Sequence, residues 1–110
     1  MIRKSFCELF IKIYSTPIRV AIALNLIERY SFSQLQAAKA VGLPQPLLNY
    51  VIKGRRRLHN LERVLGDGRV SKIVDELTDE IASGLELDMC SICTRFREHL
   101  DLPKPQYRLK

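Results

Sequence analysis

Two stretches of the chain carry residue types whose spacing can do chemistry. The first covers residues 34–57, QLQAAKAVGLPQPLLNYVIKGRRR. Here Pro46, Asn49, Tyr50 and Lys53 stand at i, i+3, i+4 and i+7, which places them on one face of a helix, with Gln45 at its N-terminal tip. Gln and Asn side chains each pair bidentately with the N6/N7 edge of adenine. Tyr50 has the reach to meet a phosphate or to pack on a sugar. Lys53, Arg55, Arg56 and Arg57 follow around Gly54, a cationic cluster suited to backbone phosphates. The second stretch is Cys90-Ser91-Ile92-Cys93. Thiols three residues apart on a helix share a face, and one such pair supplies two of the four ligands that a structural zinc takes. Two copies of the chain would supply four thiolates, for zinc or for an Fe–S cluster. The pair also suits a redox disulfide that acts as a sensor, or plain core packing beside Met89, Ile92 and Phe96.

Recognition chemistry of the first kind needs two short helices held at a fixed angle. Ser33 with Gln36 three residues on makes a capping box that starts the first helix. Ala38 is small enough for the second helix to cross it, and Gly42 supplies the left-handed residue of the turn. Leu43 plugs the turn, with Leu35 and Val41 completing the seam. Pro44 and Pro46 suit the first turn of the second helix, where an N–H has no intrahelical acceptor. Leu48, Val51 and Ile52 form its inner face. This is a helix-turn-helix pattern, whose second helix lies in the major groove of duplex DNA.

Elsewhere the periodicity is helical and no convincing strand appears. Residues 3–14 form an amphipathic helix with Phe6, Leu9, Phe10 and Ile13 on one face. Ser15-Thr16-Pro17 is expected to stop it and to start a second helix that runs to Tyr30. A short helix over residues 58–65 is followed by a break at Gly66-Asp67-Gly68. Residues 69–83 carry a strong apolar stripe (Val70, Ile73, Val74, Leu77, Ile81), and residues 89–100 a last one. Asp75, Glu76, Asp79 and Glu80 are expected to form a solvated outer face. His59 beside the basic run is placed to help with phosphate, His99 at the surface, and Cys7 in the core. Residues 106–110 should form a mobile tail.

The fold class is therefore all-α: a helix-turn-helix bundle of about six or seven helices with a C-terminal helical extension. Residues 1–57 would be the DNA-binding domain with its leading helix, and 58–110 a helical dimerisation and sensing segment.

Charge agrees with that division. The 110 residues carry a formal +6. Residues 1–57 hold ten basic and two acidic side chains, and 58–110 hold eight basic and ten acidic. A basic half joined to a slightly acidic one suits a polyanion-binding module with a separate assembly part. The length leaves no room for a large cofactor enzyme, and no phosphate-binding glycine loop, zinc-hydrolase His pair or nucleophile elbow occurs. The longest run without a charge, residues 40–52, is too short for a bilayer span and contains Pro44 and Pro46. Met1-Ile2-Arg3-Lys4 starts like a signal peptide, but Glu8 and Lys12 interrupt the apolar stretch, so it is read as part of the fold. Three cysteines, an odd count, argue for a reducing, cytoplasmic setting.

The stretch GLPQPLLNYVIKGRRR resembles the lambda-repressor/Cro-like (XRE-type) helix-turn-helix family, where the same stretch reads like G-I-T-Q-A-A-V-S-x-Y-L-x-G-x-R. It is most similar to short archaeal regulators that begin with a leading helix and a Pro-initiated helix like Thr16-Pro17-Ile18-Arg19. Those regulators often carry a C-terminal Cys pair comparable to Cys90 and Cys93. The resemblance covers about residues 8–57. It departs from the pattern at Pro44, where a Ser/Thr is usual, and at Pro46, where a small residue is usual. It implies a sequence-specific DNA-binding transcriptional regulator, with Gln45, Asn49 and Tyr50 at the recognition positions. We expect a homodimer on double-stranded DNA, no enzymatic activity, no membrane partner and no resident cofactor unless Cys90 and Cys93 of a dimer hold zinc or Fe–S. The alternatives are a protein-interaction or metal/redox-sensing adaptor that uses the helix-turn-helix as a scaffold, and an RNA-associated basic protein.

Overall fold

In the computed structural model, which describes residues 6–54 and 61–97, every regular element is a helix. They are α1 (Phe6–Tyr30), α2 (Gln34–Val41), α3 (Gln45–Ile52), α4 (Leu61–Gly66), α5 (Gly68–Ala82) and α6 (Met89–Arg97). Helix α1 is the axle of the fold, with α2, α4, α5 and α6 packed around it. Phe10, Tyr14, Ile18, Ile22 and Leu26 recur every four residues along it, and Val20, Ala21 and Ala23 are buried as well. A helix so enclosed must be apolar nearly all the way round.

That enclosure corrects one expectation. Ser15-Thr16-Pro17 does not divide two helices; Pro17 lies inside a continuous α1. A proline inside a helix removes one hydrogen bond and costs about 3 kcal/mol. Each large apolar side chain fully buried returns about 1.5–3 kcal/mol, and Phe10, Ile18, Ile22 and Leu26 lie on both sides of Pro17. Packing therefore holds the helix through a local breaker. Over Glu8–Tyr30, α1 is also long and apolar enough by length and composition to cross a membrane. In this fold 56% of that window is buried.

The remaining ends are set by short-range chemistry. Ser31 takes a left-handed φ of 58° after α1. The capping box forms as expected: Gln36 N donates to Ser33 Oγ at 3.1 Å, and Ser33 N donates to Gln36 Oε1 at 3.0 Å. Asp67, in the expected break, caps α5 by accepting from Arg69 N and Val70 N.

The apolar stripe of α5 (Val70, Ile73, Val74, Leu77) is buried in the same core cluster as α1, and so are Ile92, Cys93 and Phe96 of α6. Phe96 meets Phe10 with ring centroids 5.4 Å apart. These faces were the ones expected to pair two chains; the monomer uses them itself. The two segments divided near residue 57 thus share one core.

The acidic stripe of α5 stays at the surface, with Glu76 and Asp79 exposed and Asp75 and Glu80 half-buried, but three of its carboxylates also make specific bonds. Asp75 Oδ1 accepts from Asn25 Nδ2 at 3.1 Å and pairs with Arg29 at 3.2 Å. Asp79 Oδ1 accepts from the Tyr30 hydroxyl at 2.5 Å. Glu80 makes a two-pronged pair with Arg95 of α6. Carboxylates on one helix thereby fasten it to α1 and to α6. The hydrogen bond to Asp79 raises the Tyr30 hydroxyl above its ordinary pKa. The Arg95 guanidinium holds the Glu80 carboxyl below the usual range.

Candidate nucleic-acid interface

The α2–α3 pair is built around Gly42. It sits at φ 74°, ψ 36°, the left-handed region, and its N–H ends α2 by donating to Lys39 O at 3.3 Å. Leu43 N then donates to Ala38 O at 2.9 Å. Ala37 and Ala38 are fully buried, so α2 approaches its neighbours closely. A second reason for glycine is steric. A Cβ on Gly42 would lie 2.9 Å from Arg19 Nη1. That same Nη1 donates to Val41 O and to Gly42 O, each at 3.2 Å. Arg19 of α1 thus clasps the turn through the last carbonyls of α2, where a helix has orphan acceptors and a partial negative charge. Sequence reasoning counted Arg19 only as charge. The signal that could have found it is position: Arg19 is the sole charged residue between Lys12 and Glu28, in the most apolar part of the chain.

Helix α3 leans on α2 by Leu48, which is completely buried, with Leu47 and Val51 half-buried beside it. Ile52, expected on the inner face, is 40% exposed, and Leu35, expected in the seam, is 47% exposed. Ile52 sits at the edge because the inner phase of α3 runs through Leu47, Leu48 and Val51, and Leu35 because that of α2 runs through Ala37, Ala38 and Val41. Pro44 occupies the N-cap without a side-chain hydrogen bond, and Pro46 falls in the first turn.

The outer face of α3 is uncovered. Gln45, Pro46, Tyr50 and Lys53 are exposed and Asn49 is half-buried. The five form one strip from the N-terminal tip to the C-cap at Lys53. Gly54 follows at φ 70°. Arg55, Arg56 and Arg57, expected as a phosphate clamp, and His59 lie outside the described residues, as do His99, the tail and the side chain of Cys7.

Cys90 and Cys93 do not present their thiols together. Cys90 is exposed at the start of α6, while Cys93 is buried in the core. Among the described residues no group of three or more His, Cys, Asp or Glu side chains converges as a metal site would. Compared with known proteins, the chain matches no family model, no curated protein and no solved structure.

Proposed function

We propose that the protein is a sequence-specific double-stranded DNA-binding transcriptional regulator that sets α3 in the major groove. The observation that carries this reading is the pairing of a fixed α2–turn–α3 unit with a bare polar strip. Gly42 and the Arg19 clasp fix the angle, and Gln45, Asn49, Tyr50 and Lys53 stand along the strip. Gln and Asn supply adenine-type donor–acceptor pairs, while Lys53 suits phosphate. The net +6 supplies the long-range attraction to a polyanion. Arg55, Arg56 and Arg57, which follow Gly54 in the sequence, would add a phosphate clamp.

A homodimer is part of the proposal, since one such unit usually pairs across half-sites about one helical turn apart. With the α5 and α6 stripes engaged inside the monomer, the pairing surface has to come from elsewhere. Among the described residues, Ile11, Tyr30, Leu65 and Leu85 are the large hydrophobic side chains exposed outside the helix-turn-helix. An adaptor reading draws on Leu35, Tyr50 and Ile52, which expose apolar surface on the α2–α3 pair itself.

Selection of bound sequences from a random duplex pool tests the proposal. Enrichment of one motif is expected. Asn49→Ala or Gln45→Ala should then cost about 1–3 kcal/mol on that motif and little on random duplex. Equal losses on both would show that these side chains position rather than read. Failure to enrich any motif would favour the adaptor.

A further inference from the structure

A partly open cavity of about 310 Å³ lies under the α2–α3 turn. One wall is the end of α2 with Gly42; the opposite wall is the start of α6. Its charged lining is Arg19, Lys39 and Asp88, and Ile22, Val41 and Ile92 are among its apolar residues. The volume is at the low end of small-molecule sites, which run to about 300–1,000 Å³.

The charges are not balanced for an empty space. Asp88 is already engaged, because its Oδ1 accepts from Ser91 N at 2.8 Å and caps α6. Accepting from a neutral N–H does not cancel the Asp88 charge, so the lining holds two cations against one carboxylate, an excess of one positive charge over an apolar floor. One of the cations is incompletely satisfied: Arg19 Nε is buried and has no hydrogen-bond partner, although Nη1 of the same group is fully used on Val41 O and Gly42 O. A buried N–H without an acceptor costs about 1–3 kcal/mol, more on a charged group. That atom is closed to solvent as it stands, so an acceptor entering the cavity reaches it only as the guanidinium turns toward the opening, and would then relieve that cost.

We infer that this cavity binds a small organic carboxylate with an apolar body, and that its occupant steadies the α2–α3 turn through Arg19. The carboxylate meets Arg19 and Lys39, and the body lies on Ile22, Val41 and Ile92. A guanidinium held on both sides moves less, and the two carbonyls it clasps belong to the turn that aims α3. The site itself stands without the DNA-binding reading; only its consequence for regulation rests on that reading.

The test uses the full chain with labelled methyl groups and backbone amides, titrated with benzoate and with hexanoate, each against its neutral amide. Saturable shifts are expected at Ile22, Val41 and Ile92 and at the Gly42 amide. The carboxylates should bind at least about tenfold more tightly than the amides, the factor that corresponds to about 1.4 kcal/mol. Lys39→Gln, an exposed position, should weaken both carboxylates several-fold, and Ala40→Phe should occlude the cavity and abolish the shifts while the thermal midpoint is kept. Absence of saturable shifts with both carboxylates, equal binding of acid and amide, or binding unchanged by Ala40→Phe would overturn the inference. Methyl shifts without a change at Gly42 would overturn the coupling to the turn. A chain that passes this titration yet selects no duplex sequence would leave the cavity standing and the DNA-binding reading refuted.

Discussion

Replacing Gly42 by alanine should damage the turn in two separable ways. The first is local. An L-residue at φ 74° places its Cβ against the following carbonyl, at about 1–2 kcal/mol. The second acts at a distance, because the new Cβ would stand 2.9 Å from Arg19 Nη1 and must displace it. That loosens two hydrogen bonds from a charged donor, to Val41 O and Gly42 O. Such bonds contribute about 1.5–3 kcal/mol when sheltered, and the bond to Gly42 O lies in exposed surroundings. About 1 kcal/mol is a reasonable share here, for a total of about 2–3 kcal/mol. Urea unfolding of the four members of the Gly42→Ala/Arg19→Met cycle measures it, provided the m-value holds constant. If the clasp carries part of the cost, the double variant should lose about 1 kcal/mol less than the sum of the singles. Gly42→Asn should recover much of the local part, since Asn tolerates the left-handed region, and none of the distant part. Additive costs, or a Gly42→Ala loss below about 0.5 kcal/mol, would refute the account of the turn.

Neutralising Arg55, Arg56 and Arg57 together to Ala should weaken binding to every duplex and flatten its salt dependence by about one unit of slope for each phosphate no longer neutralised; fluorescence anisotropy across a salt series reads this, and an unchanged slope removes the clamp. Glu80, held below its ordinary pKa chiefly by its hydrogen bonds from Arg95, contributes stability that is present above the normal carboxylate range and lost as pH falls through the lowered value. Thermal midpoints at pH 7 and pH 3 should therefore differ less in Glu80→Gln than in the parent, with the neutral-pH effect no more than about 1 kcal/mol for so accessible a pair; equal acid sensitivity would remove Glu80 from the account. Ending the chain after Leu65 should abolish cooperative unfolding, because it strips the α5 and α6 side chains from the α1 core. A truncated chain that melts sharply by circular dichroism would refute the shared core.

The features legible in the sequence were those decided within a few residues. Ser33 and Gln36, Gly42, and the Pro-rich start of α3 announce themselves because a cap or a turn is closed by its neighbours in the chain. The stripe of α5 was legible because periodicity needs no partner to be seen. What the stripe packs against was not. Val70, Ile73 and Leu77 suit a second chain as well as they suit α1, and only the path of the chain decides. Pro17 misled for the opposite reason: its local meaning is a break, and burial on both sides overrode it. The bonds of Asp75, Asp79 and Glu80 were not legible because their partners Asn25, Arg29, Tyr30 and Arg95 are remote in sequence, apart from the fifteen-residue span to Arg95. Within the candidate interface, the outward residues of α3 followed from phase alone, while the clasp from Arg19 did not.

Helix α3 is anchored more thinly than its neighbours. It has eight residues, Leu48 is its only fully buried side chain, its N-cap makes no side-chain bond, and its main packing is on α2. Segments with little buried surface open locally at free energies far below that of global unfolding. The amides of α3 should accordingly exchange with solvent through fluctuations that leave α1 and α5 intact. If α3 reads a duplex as proposed, a helix that frays beforehand must be ordered on arrival, and part of the interaction energy would be consumed in doing so. Under that proposal, occupancy of the groove and folding of α3 would be one linked equilibrium. Its affinity would be adjustable by substitutions at Leu47, Leu48 or Val51, which lie on the packed face, opposite the proposed reading strip.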